Sequence, residues 1–182
     1  TTEIYTLSLH DALPIYLPAI PWLTIDTGRG KLTSFLELRS EQGRDVMRGL
    51  VAQADILSQG YRPQAIARLG FSAEEAARIN PGIVYVTLSA YGHAGPWAER
   101  RGFDSLVQTT TGFNHAEGQA AGVDGPKELP AQMLDHATGY FMAFGAMMAK
   151  ARQAREGGSW HVRVSLAQTG RWLWNLDRKS VV

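Results

Sequence analysis

The stretch "IVYVTLSAYG" (residues 83–92) decides the fold. It is an almost continuous apolar run, rich in β-branched and aromatic residues, set between Asn80-Pro81-Gly82 and Gly92. That composition predicts a strand. A near-continuous apolar run is also what a strand buried on both faces of a parallel sheet needs. A parallel neighbour requires a crossover, usually a helix, so the flanks should alternate between helix and strand.

The flanks do read that way. Upstream, "SAEEAARINPG" (72–82) predicts a helix, with Ser72 and Glu75 as a capping box and Asn80-Pro81-Gly82 as its stop. "PQAIARLG" (63–70) opens on proline and closes on glycine, the pattern of a short helix. "DILSQGYRP" (55–63) is a short strand running into a loop. "SEQGRDVMRGLVAQA" (40–54) places Val46, Met47, Leu50 and Val51 at helical spacing behind Ser40 as N-cap. "TSFLEL" (33–38) predicts another strand. Downstream, residues 93–102 form a loop, 103–114 a helix and the Gly-rich 115–130 a connector. A long helix over 134–155 stops at Gly157-Gly158, "SWHVRVSLAQ" (159–168) alternates like a strand, and "TGRWLW" begins a last helix. The sum is an α/β fold: a mostly parallel, Rossmann-like sheet with flanking helices.

The totals agree with one globular domain. The chain has 182 residues, of which 45% are hydrophobic and 19% charged. A net charge of +1 gives no electrostatic footprint for nucleic acid or for a membrane surface. The absence of cysteine excludes disulfides, thiolate zinc sites and a cysteine nucleophile, and fits a cytoplasmic protein. No apolar run is long enough to span a bilayer. His93, His115, His136 and His161 have no metal-ligand spacing, so no metal is expected. No G-x-S-x-G elbow nominates a serine hydrolase.

The two ends read as something other than natural protein. "TTEIYTLSLHDALPI" (1–15) and "DRKSVV" (177–182) are spelled by the codons of a short-read sequencing adapter and of its reverse complement. Residues 1–15 and 177–182 are therefore set aside, as an expression scar would be, and 16–176 carries the functional reading.

Three places invite chemistry. "DTGRGK" (26–31) precedes a strand, whereas phosphate-binding fingerprints follow one, so a turn is its plain reading. "GYRPQAIARLG" (60–70) follows a strand and offers Tyr61, Arg62 and Arg68, which could stack on and pair with a nucleotide or could be a solvated helix. "LDHATGYFMAFGAMMAK" (134–150) is apolar all round, which predicts a buried helix, yet it carries Asp135 in its first turn. Composition alone favours Asp135 as a cap for backbone N–H groups. The small Ala137 and Gly139 beside it leave room for another molecule.

Taken in order and spacing, these segments resemble the class III CoA-transferase family, which includes formyl-CoA and carnitine-CoA transferases and methylacyl-CoA racemases. The turn "GYRPQ", the "LG" helix end, the "INP" stop, the strand ending "AYG", "GFD", the aspartate helix and "GG" leading into "VRVS" carry the likeness, over about Lys31–Gln168. The resemblance implies the partial large domain of such an enzyme over 16–176, with Asp135 as the nucleophile forming an aspartyl-CoA intermediate. It implies CoA contacts at Gly30, Lys31, Gly60, Tyr61, Arg62, Arg68, Arg101, Gly102, Phe103 and Asp104. It also implies no tightly bound cofactor, CoA entering as acyl-CoA substrate together with a carboxylic acid, and an interlocked homodimer. This chain departs from the pattern at Gly60, where the family has asparagine, at Gln64, where it has glycine, and near Leu32. The racemases use a histidine where Phe103 stands, and phenylalanine moves no proton. A CoA-ester racemase or isomerase and a non-catalytic CoA- or nucleotide-binding module are the alternatives. Parts of the family's site would lie outside 16–176, so the chain as written is expected to be inactive.

Overall fold

The computed structural model describes residues 5–8, 25 and 28–176. It divides into two compact units, Thr1–Gln53 and Ala54–Val182. In the first, β1 (Tyr5–Ser8) pairs in parallel with β2 (Leu32–Phe35), and α1 (Glu41–Gln53) follows. Ser40 caps α1 as expected, its hydroxyl accepting the Gly43 N–H at 3.0 Å.

The second unit holds Asp135 and the other candidate residues except Gly30 and Lys31. β3 (Ile56–Gln59), β4 (Val84–Ser89) and β5 (Trp160–Ser165) form a parallel sheet in that order. The stretch that opened the reading is thus the central strand, with Val84, Tyr85, Val86, Thr87 and Ser89 all buried. α2 (Ala73–Ile79) crosses from β3 to β4. Its N-cap Ser72 accepts the Glu75 N–H at 3.2 Å. The Glu75 carboxylate does not complete a capping box but pairs with Arg78. The crossover from β4 to β5 contains α3 (Asp104–Thr110), α4 (Phe113–Ala121) and α5 (Met133–Glu156), and α6 (Leu166–Asn175) follows β5 without a loop.

Pleat parity splits the sheet into two faces. Val84 and Val86 pack with Ala146 and Ala149 of α5, and Met142, Trp160 and Val162 join them. A second core of Val107, Phe113, Leu134 and Leu166 lies around the start of α5. Tyr85, Thr87 and Ser89 point the other way. No helix among the described residues is long and apolar enough to cross a membrane.

Three expectations are corrected. The helix over 63–70 is only a 3-10 turn at Ala67–Leu69, because Gln64 adopts φ +64° and Gly70 φ +91°. The helix over 103–114 breaks at Gly112, whose φ of +88° belongs to no right-handed helix, and a second helix occupies half of the supposed connector. Three threonines before the break, Thr109, Thr110 and Thr111, bond back to carbonyls of their own helix, which weakens the turn there. Finally, α5 is not buried all round. Its buried stripe is Leu134, Thr138, Ala146 and Ala149, while Tyr140, Phe144, Met147 and Met148 are exposed. Small residues face the sheet because the approach is close: a Cβ on Gly145 would lie 2.6 Å from Val162 Cγ1.

Candidate functional site

Asp135 lies in the first turn of the 24-residue α5. The N-cap residue Gln132 makes no side-chain cap bond. The capping comes from outside the helix: Asp104 Oδ2 accepts the Asp135 N–H at 2.8 Å. Asp104, at the start of α3, is 2% exposed, so a buried carboxylate satisfies an orphan N–H of a helix that begins 29 residues later. The Asp135 side chain is thereby released from the capping role that composition suggested, and it is exposed.

Its ionisation is set by neighbours as well as by the helix. Protein crowding the carboxyl removes water and pushes its pKa up, the Asp104 charge pushes it further the same way, and His136 pulls it down.

The base of α5 is fixed on several sides. Thr138, one turn on, is buried and donates its hydroxyl to Thr169 of α6 at 2.8 Å. Leu134 packs in the second core. Gln108 holds Asp104 from within α3, and its oxygen accepts the Leu129 N–H at 3.2 Å.

The other predicted residues separate into groups. Gly102 is a close-approach glycine: a Cβ there would meet Ala90 Cβ at 2.8 Å and Val107 Cγ2 at 3.0 Å. It lets the chain press against the end of β4 just before Asp104. Phe103 caps α3 without a side-chain bond and is 84% exposed, an unusually bare aromatic. Arg101, Arg62 and Arg68 are exposed. Gly60 and Tyr61 follow β3, and the Tyr61 N–H donates to Gln59 Oε1 at 2.9 Å. Gly30 and Lys31 belong to the first unit, where Gly30 takes φ +71° in an exposed turn closed by the Lys31 N–H on the Gly28 carbonyl at 3.1 Å.

Tyr61 opens onto a cavity of about 310 Å³ on the polar side of the sheet, walled by Gln64, Thr87, His93 and His161 among others. Thr87 Oγ1 lies 2.9 Å from Nε2 of both histidines. Burial, with Arg163 second, lowers the pKa of each ring, so both are neutral at pH 7. One hydroxyl proton cannot serve two acceptors, so at least one imidazole donates to Thr87, whose own proton goes to the other ring or to the Val162 carbonyl at 3.4 Å. Behind them Tyr85 donates to the Phe71 carbonyl at 2.7 Å, and burial pushes its hydroxyl to about 12. A second cavity of about 600 Å³ lies along Phe141, Gly145, Val162 and Trp172. Asp135 lines neither cavity. Among the described residues, no three His, Asp or Glu side chains cluster as metal ligands would.

Sequence reasoning missed Gln108, Thr87 and His93. Gln108 had a signal, since it stands four residues after Asp104 on one helix and therefore faces it. His161, for which the sequence shows only a lack of metal-ligand spacing, also lines the first cavity.

An open parallel sheet whose strand ends feed polar loops, with a carboxylate held at a helix start, defines the chain as an α/β protein. The family model of CoA-transferase family III matches residues 17–177, and the chain belongs to that family. It is 35% identical over 140 residues to the acetyl-CoA:oxalate CoA-transferase of Acetobacter aceti, covering 76% of this chain and 35% of that one. It is 32% identical over 152 residues to the acetyl-coenzyme A transferase nodX of Hypoxylon pulicicidum, covering 81% of this chain and 26% of that one. A crystal structure of a CAIB/BAIF family protein from Brucella suis superposes with a TM-score of 0.75 at 27% identity, over 80% of this chain and 38% of the other. A mutant of Rv3272 from Mycobacterium tuberculosis gives a TM-score of 0.80 at 25% identity, over 94% of this chain and 48% of the other. The chain thus spans about a quarter to a half of the length of these four proteins.

Proposed function

We propose that this chain carries the nucleophile-bearing part of an acyl-CoA:carboxylate CoA-transferase, with Asp135 as the nucleophile. One observation carries the reading: Asp104 caps the helix in place of Asp135, leaving the Asp135 carboxylate exposed at a fixed helix start. An Asp135 oxygen attacks the donor thioester carbonyl and expels CoA thiolate, giving a mixed anhydride. The thiolate attacks the aspartyl carbonyl, releasing the donor acid and leaving an aspartyl-CoA thioester. The acceptor carboxylate then attacks that thioester, and the thiolate attacks the acceptor's carbonyl in the new anhydride, freeing Asp135. No water is consumed and no net proton moves, which is the gain from splitting one exchange into covalent steps. A raised pKa makes Asp135 the more basic nucleophile once it is ionised.

The exposed Phe103, the arginines and the Tyr61 cavity supply aromatic and basic contacts suited to CoA. Phe103 also has no proton to exchange at a substrate α-carbon, which argues against the racemase alternative. CoA is read as a substrate without any tightly bound cofactor, in a cytoplasmic enzyme acting as an interlocked homodimer.

The test is chemical. Full-length enzyme incubated with acyl-CoA and hydroxylamine should gain a hydroxamate at Asp135, seen by peptide mass. Asp135→Ala should lose at least about a thousandfold in turnover, as loss of a nucleophile does. An unmodified Asp135 together with an active Asp135→Ala would sink the proposal.

A further inference from the structure

Gln108 and Asp104 are each 2% exposed and lie one turn apart on α3. The Gln108 amide is engaged at both ends. Its NH2 donates to Asp104 Oδ1 and, at 3.2 Å, to the Ala131 carbonyl, while its oxygen accepts the Leu129 N–H at 3.2 Å. Asp104 Oδ2 takes the Asp135 N–H at 2.8 Å. A continuous line of bonds thus runs from the segment entering α5, through a buried amide and a buried carboxylate, to the backbone of Asp135. A buried carboxylate without a donor turns or protonates, and a carboxylate that turns no longer caps.

We propose that Gln108 is the positioning residue of the Asp135 site: by gripping Asp104 Oδ1 it aims Oδ2 at the Asp135 N–H, and by gripping residues 129 and 131 it locks the entry of α5 to the same frame. The inference rests on Asp135 being the nucleophile for its functional meaning, but its geometry stands without that. The charged groups acting on Asp135 are Asp104 from α3 and His136 from its own helix.

The test uses the 182-residue chain and needs no turnover. Gln108→Met keeps the length of the side chain and removes the amide. Its Asp135 N–H should exchange about ten- to a hundredfold faster, the loss expected for a bond to a charged acceptor. The Asp135 carboxyl, followed by carbon NMR, should titrate lower than in the unmodified chain, because the Asp104 charge is no longer held beside it. β4 amides report folding. Unchanged exchange and titration at Asp135, with β4 still protected, would overturn the proposal. If Gln108→Met unfolds β4, Gln108→Glu decides. Its carboxylic acid donates like the amide while protonated and repels Asp104 once ionised, so the Asp135 protection factor should fall as pH rises, and a flat profile rejects the role. A missing hydroxamate at Asp135 would remove the nucleophile and leave these outcomes untouched.

Discussion

Two carboxylates at one helix start divide two jobs that one could not do together. Asp104, buried, accepts the helix N–H; Asp135, exposed, keeps its oxygens free. The cost falls on Asp135, whose charged form is disfavoured by lost water and by Asp104. Its folded pKa is raised, so the folded chain holds a proton over a pH range in which the unfolded chain has lost it. Stability therefore falls as pH rises from the ordinary aspartate value through the raised one. Asp135→Asn should match the unmodified chain below that window and exceed it at neutral pH. The gap should stay under about 1 kcal/mol, since the group is exposed. Urea midpoints across pH 3 to 7 measure it, and a gap of opposite sign would contradict the reading. The position of Asp135 was legible in the sequence because it interrupts an apolar run. Its partner was not, because a cap contributed 31 residues away leaves no local pattern.

At the scale of elements, hydrophobic pattern located every strand of the main sheet, but it read α5 as buried on all sides. A helix apolar all round reads as buried, yet here the tight sheet contact selects glycine and alanine and leaves Phe144, Met147 and Met148 exposed. Pattern also missed α4, whose glycines look like a connector until the Gly112 break is seen to separate two helices. The α5 glycines give a paired prediction. Gly145→Ala gains about 1 kcal/mol of helix propensity but drives a methyl into Val162, where overpacking costs about 1–3 kcal/mol, so it should lower Tm. Gly139→Ala meets nothing within 4 Å and should raise Tm through the same propensity gain. Thermal melts of the two variants should move in opposite directions. A rise for both would mean that α5 stands off the sheet.

For the whole molecule, the family match runs over 17–177, and the clusters around Val84 and around Leu134 lie in the unit that starts at Ala54. Setting residues 1–15 and 177–182 apart rests on their codon spelling, and we propose 16–176 as the functional part of the chain. The structure nonetheless pairs β1, inside the first of those segments, with β2. The two statements meet in one experiment. If residues 1–15 carry no natural structural role, a chain trimmed to 16–176 should keep the β4 and α5 amides as protected as before and hold its Tm within about 2 °C, a change of under about 1 kcal/mol. Any loss should be confined to β2 and α1, because β1 pairs only there. A larger fall in Tm, or lost protection in β4, would show that the first fifteen residues support the fold and would return them to the protein.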